Sequence, residues 1–523
     1  MRNGNALIPT LFFFVLCAIE LVAILRLNEG QLAYTLDDPY IHLALAENVA
    51  RGHYGVNAGE YSAPASSILW PLLLAPLAGT ALGPTMPLVL NLLAAALAIA
   101  IFSRIVAAAL PSGNGSATRV GQNLLVCLLV LATNLVGLVF TGMEHSLQIL
   151  ATAVVVLGII HIGTKDRVPW WLLAAIIVGP LIRYENAAVS AIGILYLLFT
   201  RRWKAFWIAS IVTGVALLAF SAYLHSLDLY PVPTSVVAKS GPVAGKGDML
   251  SIFRNLLDNL TRTQGILVAL GIVLLIAVAL RRDRTPHDRI LASSAALGLA
   301  LHMVIGRFGW FHRYEIYAWC ALLLTLIYLH RDTINTWVQS EPGWKLAAVV
   351  VPMTLAISWS YIYDLRLVPL ASNNVYEQHF QMHRFATQFY RKPIAVNDIG
   401  WVTYGNEAYV LDLVGLSSIE ALRAQWENTG PAWMNRLAEK HDIKAAMIYP
   451  SVFAAIPDNW KLLATLHLSR RKITVFKDAV AVYALNAEIV PELSAVLREF
   501  AASLPKDVKL EFASANGAVQ SSQ

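Results

Sequence analysis

The sequence predicts a polytopic α-helical membrane protein with about 11 transmembrane helices and a C-terminal α/β domain. Three observations carry that prediction. Of the 523 residues, 57% are hydrophobic and 14% charged, with a mean hydropathy of +0.58, whereas a soluble domain is about 25% charged. Apolar segments near the roughly 20-residue length of a membrane span recur as far as residue 362. From residue 364 onward, short β-type runs alternate with helical ones. The net charge of +6 is modest, and its Lys and Arg gather in short loops between apolar segments. That is an orientation signal and not a nucleic-acid patch. Cys17, Cys127 and Cys320 all fall in apolar segments, so no disulfide framework is expected.

In chain order, Ala6 to Leu25 is apolar apart from Thr10 and Glu20. It is longer than a signal-peptide core and reads as a retained anchor with its N-terminus in the cytoplasm. Next comes Tyr34-Thr35-Leu36-Asp37-Asp38-Pro39-Tyr40-Ile41. Two adjacent carboxylates beside a membrane are costly unless they sit in water or in a polar cavity. Asp38 reads as the N-cap, and Pro39 as the first residue, of a short helix closed by Gly52. Asp37 is then left without a capping role near a helix N-terminus that favours its ionised form, which makes it the candidate for chemistry.

Residues 68–82 are apolar but broken by Pro71 and Pro76, as in a segment that lies along the membrane or re-enters it. Full spans are expected at 86–110, 123–140 and 144–163. The stretch 171–200 is interrupted by Gly179-Pro180 and Arg183-Tyr184-Glu185. As one helix it would put the basic loops at 165–167 and 201–204 on opposite faces, so two short passes are expected, with Arg183 and Glu185 in a polar cavity. Further spans are expected at 205–224, 266–281, 290–306, 316–330 and 345–362. The odd total places everything after Tyr363 outside. There, strands are expected at 393–397, 409–414, 445–449, 473–476 and 480–485, and helices at 418–427 and 432–441. The expected division is a transmembrane domain at 1–363, an extracytoplasmic α/β domain at 364–490, and a helix with a disordered tail at 491–523.

In this topology one face collects Asp37-Asp38, Gly142-Met143-Glu144-His145, Arg183-Tyr184-Glu185, Tyr230-Pro231-Val232-Pro233-Thr234-Ser235 with Lys239, and residues 307–315 with His312, Arg313 and Tyr314. Each has a plainer role beside the functional one. Glu144 fits a helix-end pair, and Arg183 with Glu185 a mutual ion pair. Trp310, Phe311 and Tyr314 fit an interfacial belt, Lys239 a surface lysine, and Asp398 and Asp412 turn and strand ends. Together, carboxylates opposite cations beside a membrane suit sugar transfer from a polyprenyl-phosphate donor. A base deprotonates the acceptor hydroxyl, and cations stabilise the departing phosphate through an oxocarbenium-like transition state. Asp37 is the expected base; Arg183, Lys239, His312 and Arg313 are the expected phosphate ligands.

These motifs, with Val396-Asn397-Asp398-Ile399-Gly400 and Leu411-Asp412-Leu413-Val414-Gly415-Leu416, resemble the GT-C superfamily of integral membrane glycosyltransferases over most of the chain. The likeness is greatest to the mycobacterial-type arabinofuranosyltransferases that use decaprenyl-phosphate arabinose. The resemblance implies a GT-C-like fold in a bacterial inner membrane, with the site and C-terminal domain on the periplasmic face. It implies inverting transfer to a glycan or protein, with Asp37 or Asp38 as base and Glu144, Arg183, Glu185, Lys239, His312, Arg313 and Tyr314 around the donor. Related enzymes use arabinofuranose, mannose or aminoarabinose donors, so the sugar stays open. No cofactor is assigned; paired aspartates can hold a divalent metal, and that role also stays open. The competing class is a transporter or flippase of a lipid-linked sugar, which would show internal repeats and ionisable residues along both halves of a pathway.

Overall fold

The structure is a computed structural model and describes residues 6–110, 116–239, 249–340, 343–427, 430–513 and 519–520. Six of its helices are long and apolar enough to cross a membrane: Leu7–Leu27, Gly83–Ala109, His145–Lys165, Trp203–Ser226, Thr263–Leu280 and Pro286–Ile305. A seventh is reached if Ala347–Ile357 and Trp359–Tyr390, bent by 64° at their junction, form one span. Of the about 11 passes expected, two of them short, six or seven reach the length of a full span among the described residues. The remaining apolar segments are helices of 10–17 residues: Leu69–Ala78, Thr118–Ala132, Trp170–Ile182, Tyr184–Phe199 and Ile316–Leu329.

The breaks have local causes. The expected span 123–140 stops at Ala132 because Asn134 adopts the left-handed conformation (φ 47°), and a single turn, Leu135–Val139, follows. The expected split of 171–200 is present: Arg183 is extended (φ −154°) between the two short helices, after Pro180 has interrupted the first. His145–Lys165 is mostly buried at the centre of the bundle. Leu7–Leu27 and Trp203–Ser226 instead expose Leu11, Ile19, Trp207, Ile211 and Leu218, an apolar outer surface suited to lipid.

Seven strands form one sheet: β1 (Ile394–Val396), β2 (Val410–Asp412), β3 (Ala445–Ile448), β4 (Lys461–His467), β5 (Ala479–Ala484), β6 (Lys509–Ala513) and β7 (Val519–Gln520). Their order is β2-β1-β3-β5-β4-β6-β7. β1 runs parallel to β2 and β3, in register Val396 with Asp412 and with Met447, and the other pairings are antiparallel. The expected strand at 473–476 is a loop; β5 pairs instead with β4, whose buried Ala464 and Leu466 alternate with more exposed neighbours. The helices at Ile419–Glu427 and Ala432–Lys440 lie where expected.

The helix that begins at Trp359 continues through two π-type turns to Tyr390 and delivers the chain to β1. It is fastened to the end of the first helix, where Asn28 Nδ2 donates to Ser372 Oγ at 2.9 Å and Ser372 Oγ donates to Ala33 O at 2.7 Å. The sheet is held just as firmly. Asn57 donates to Val410 O and accepts from Val410 N, both at 3.0 Å, so its amide satisfies the open edge of β2. Tyr409 donates to Glu60 at 2.5 Å, Tyr404 donates to Ala78 O at 2.7 Å, and Trp401 stacks on Tyr40 at 3.8 Å. The sheet domain and the segment that follows the first helix thus form one packed unit.

Candidate active site

The helix after the first span begins at Asp38, with Pro39 second. Asp37, not the expected Asp38, holds the cap position, and it makes no side-chain bond to its own helix. Each carboxylate is used elsewhere. Asp37 Oδ2 accepts from Gly400 N at 2.7 Å and Oδ1 from Trp401 N at 2.9 Å. It therefore satisfies the leading N–H groups of the turn Gly400–Thr403, which belongs to the sheet domain. A side chain at position 400 would overlap both the backbone oxygen and the carboxylate of Asp37, so this approach requires glycine. Burial pushes the Asp37 carboxyl up to about 6; His379 opposes that rise and Asp398 adds to it.

Asp37, Asp38, His379 and Asp398 line a cavity of ≈ 60 Å³, closed by Trp310 and by the loop at Thr474–Phe476. His379 Nε2 lies 3.1 Å from Asp398 Oδ2, and the buried Nδ1 has no hydrogen-bond partner among the described residues. His379 lies on the polar continuation of its helix, beyond the apolar residues. Burial lowers its basicity, but Asp37 and Asp398 outweigh that and leave its pKa raised.

Arg313 enters from the other side. Its Nη2 donates to Asp38 Oδ2 at 2.6 Å and, more weakly, to Tyr314 OH at 3.4 Å. The side chain is only 2% exposed, yet Nε and Nη1 have no partner among the described residues. The preceding backbone is unusual: Gly309, Trp310, Phe311 and His312 all have positive φ, at 98°, 50°, 61° and 49°. Non-glycine residues in this region cost about 1–2 kcal/mol each, so three in succession persist only because the surroundings hold them. Those restraints are visible. His312 Nδ1 lies 2.5 Å from Asp364 Oδ2, and Glu315 Oε2 accepts from Gly309 N at 2.9 Å. The Asp364 contact outweighs burial and raises the His312 pKa, favouring the imidazolium.

Arg183 forms the third part. At the break between its two helices it donates to Glu144 Oε1 at 2.7 Å, to Glu185 Oε1 at 2.9 Å and to Ser66 Oγ at 3.2 Å. Arg183 and Glu144 are both buried. The turn that carries Glu144 needs Gly142 (φ 69°), where a side chain would run into Tyr34 and Pro39. Arg183 lies within electrostatic range of Arg313, and His145 within electrostatic range of both guanidiniums and Asp38. Asp37, Asp38, Glu144, Arg183, Glu185, Arg313 and Tyr314 thus belong to one polar core at the end of the bundle that carries the sheet. His312 braces the loop leading to Arg313. Lys239 ends the short helix Thr234–Lys239, and its side chain lies outside the described residues. Asp412 accepts from Val414, Gly415 and Ser417 N–H groups and shapes a turn of the sheet domain.

Sequence reasoning missed His379, Asp364 and Thr474, and read Asp398 only as a turn residue. One available signal was the polar run Asn373-Asn374, then Glu377-Gln378-His379, at the end of an otherwise apolar helix. Among the described residues, no three or more His, Cys, Asp or Glu side chains are grouped to hold a metal ion.

The stretch that supplies His379, Asp398 and Thr474 has known counterparts. Residues 373–483 match a domain of unknown function (DUF8728). No curated protein matches the chain. Two crystal structures of the Archaeoglobus fulgidus oligosaccharyltransferase are similar to it, each with a TM-score of 0.41. The apo form is 10% identical over 87% of this chain and 73% of that one. The form tethered to an acceptor peptide containing the NVT sequon is 11% identical over 95% and 75%.

Proposed function

We propose that this protein is a membrane glycosyltransferase that moves one sugar, a pentofuranose such as arabinofuranose, from a polyprenyl-phosphate donor to a glycan or protein acceptor. The reaction would take place on the periplasmic face of a bacterial inner membrane. The observation that carries this reading is Arg313. A buried guanidinium with two unsatisfied donors costs about 1–3 kcal/mol per group unless an acceptor completes it, and a phosphate oxygen is the acceptor that suits its fork. Asp38 aims the guanidinium, and the ion-paired Arg183 adds positive potential behind it.

In the proposed reaction the acceptor hydroxyl attacks the anomeric carbon from the side opposite the phosphate. Its oxygen forms the new bond, its proton passes to Asp37, and the anomeric carbon–oxygen bond to phosphate breaks with inversion. The departing phosphate takes the electron pair and is held by Arg313, with Arg183, His312 and Tyr314 around it. Glu144 and Glu185 keep Arg183 in place. Residues 1–363 would form the catalytic transmembrane part, and the domain from 364 onward would close the site.

The test compares transfer of radiolabelled sugar from a panel of polyprenyl-phosphate donors by the intact protein, its Asp37→Asn form and its Arg313→Gln form. Transfer from one donor, reduced at least a hundredfold in both folded variants, is the expected result. Full activity in Asp37→Asn would remove Asp37 as base. Donor-lipid flipping without transfer would replace the reading with a transporter.

A further inference from the structure

The loop between β4 and β5, residues 468–478, is fixed to the rest of the molecule at several points. Ser469 N and Oγ donate to Glu377 at 2.8 and 2.6 Å, Ile473 N donates to Asn374 Oδ1 at 2.7 Å, and Thr474 Oγ1 donates to Thr35 O. This loop walls two cavities at once. Trp310 and Thr474–Phe476 close the small carboxylate cavity, and the same residues, with Phe311, Lys472 and Ile473, line a second cavity of ≈ 250 Å³.

The second cavity has two kinds of wall. Trp310 and Phe476 are about half exposed, at 47% and 49%, and Phe311, Ile473 and Val475 extend that apolar surface. Lys472 supplies a cation, held by its bond to Phe476 O at 2.9 Å, and Lys477 sits 5.3 Å from the Phe476 ring. Trp310 also follows closely on Ile305, the 68%-exposed last residue of a helix apolar enough to span. A ligand entering here would leave lipid, pass aromatic side chains, meet a lysine, and stand beside the cavity lined by Asp37 and Asp38. Only a molecule with an apolar chain ending in an anion matches that sequence of surfaces. The volume lies just under the usual range of ligand sites, about 300–1,000 Å³. It suits one phosphate and the first part of one chain better than a two-chain lipid.

We infer that the cleft between loop 309–313 and the β4–β5 loop binds the phosphate end of a single-chain prenyl phosphate, with Lys472 as a cation additional to Arg313. The sheet domain thereby supplies one wall of the lipid site. The inference rests on the glycosyltransferase reading only for the identity of the lipid.

Equilibrium binding of radiolabelled farnesyl phosphate to the full chain in detergent tests it without knowledge of the sugar. Expected is saturable binding that weakens at least tenfold in Lys472→Glu and in Ile473→Trp, which fills the cleft. Lys461→Glu, an exposed lysine at the start of β4, should bind as the unaltered protein does. Farnesol, inorganic phosphate and phosphatidylglycerol should compete poorly. Equal binding by all variants, or equal competition by phosphatidylglycerol or inorganic phosphate, would overturn the inference. Lys472-dependent binding in a protein that transfers no sugar would uphold the site and remove the glycosyltransferase reading. Sugar transfer with Lys472-independent binding would do the reverse.

Discussion

Gly400→Ala is the sharpest test of how the sheet domain seats on the segment that carries Asp37. The added methyl would overlap Asp37 O and Oδ2, so the turn Gly400–Thr403 must recoil. Recoil breaks the 2.7 Å bond from Gly400 N and lengthens the 2.9 Å bond from Trp401 N. Hydrogen bonds to a charged acceptor contribute about 1.5–3 kcal/mol each, and forced overpacking costs about 1–3 kcal/mol. A destabilisation of about 3–5 kcal/mol follows from one broken bond, one weakened bond and the displacement. For a unit of some 150–250 residues that corresponds to a fall in apparent Tm of about 10 °C. Measurement at a single heating rate in detergent avoids the rate dependence of irreversible unfolding. Hydrogen exchange should show Gly400 and Trp401 losing protection together. Gly59→Ala, where a side chain meets nothing within 4 Å, is the control and should change stability by less than about 0.5 kcal/mol. A Tm within about 2 °C of the unaltered protein, with both amides still protected, would refute the geometry.

Three further outcomes are expected. With Asp37 as base and its carboxyl raised to about 6, the transfer rate should fall as pH drops through that value, because the protonated acid cannot accept the hydroxyl proton. His379→Asn removes the cation that opposes the rise and should move this limb to higher pH; an unmoved limb in an active variant would separate His379 from the chemistry. Glu144→Gln leaves the buried Arg183 with Glu185 as its remaining carboxylate and should cost about 3 kcal/mol, read by thermal unfolding. Asn57→Ala removes both bonds to Val410 and should cost about 2 kcal/mol, with faster amide exchange at Val410–Asp412 and little change elsewhere.

What the sequence made legible follows the range of the interactions involved. The helix break at Arg183 was readable because Gly179-Pro180 and the flanking basic loops are local signals. The break at Asn134 was not, since Thr133-Asn134 is only a short polar interruption of an apolar run. Asp37 and Asp38 stood out by charge, but their long-range partners did not. Local capping grammar assigns Asp38 to its own helix, whereas the fold gives it to Arg313 and gives Asp37 to a turn 363 residues away. The loop at 473–476 reads as a strand because Ile473 and Val475 are β-branched. Its backbone and side chains are instead taken by Asn374 and Thr35, and β4, poorer in such residues, occupies the strand position. His379 and Asp398 gain significance only through Asp37, which no local pattern connects to them.

The bond between Thr474 and Thr35 joins residues 439 positions apart, and this has a temporal consequence for biogenesis. At roughly 5–20 residues per second, a ribosome reaches Thr474 about 20–90 s after Thr35. During most of that interval Asp37 and Asp38 must wait in the nascent protein without the histidine, the turn or the loop that later enclose them. A chain stalled before β4 would already contain its apolar helices but lack a wall of the cavity. Maturation should therefore be a late, single event that follows membrane insertion, and quality control that senses it would read the seating of the sheet domain.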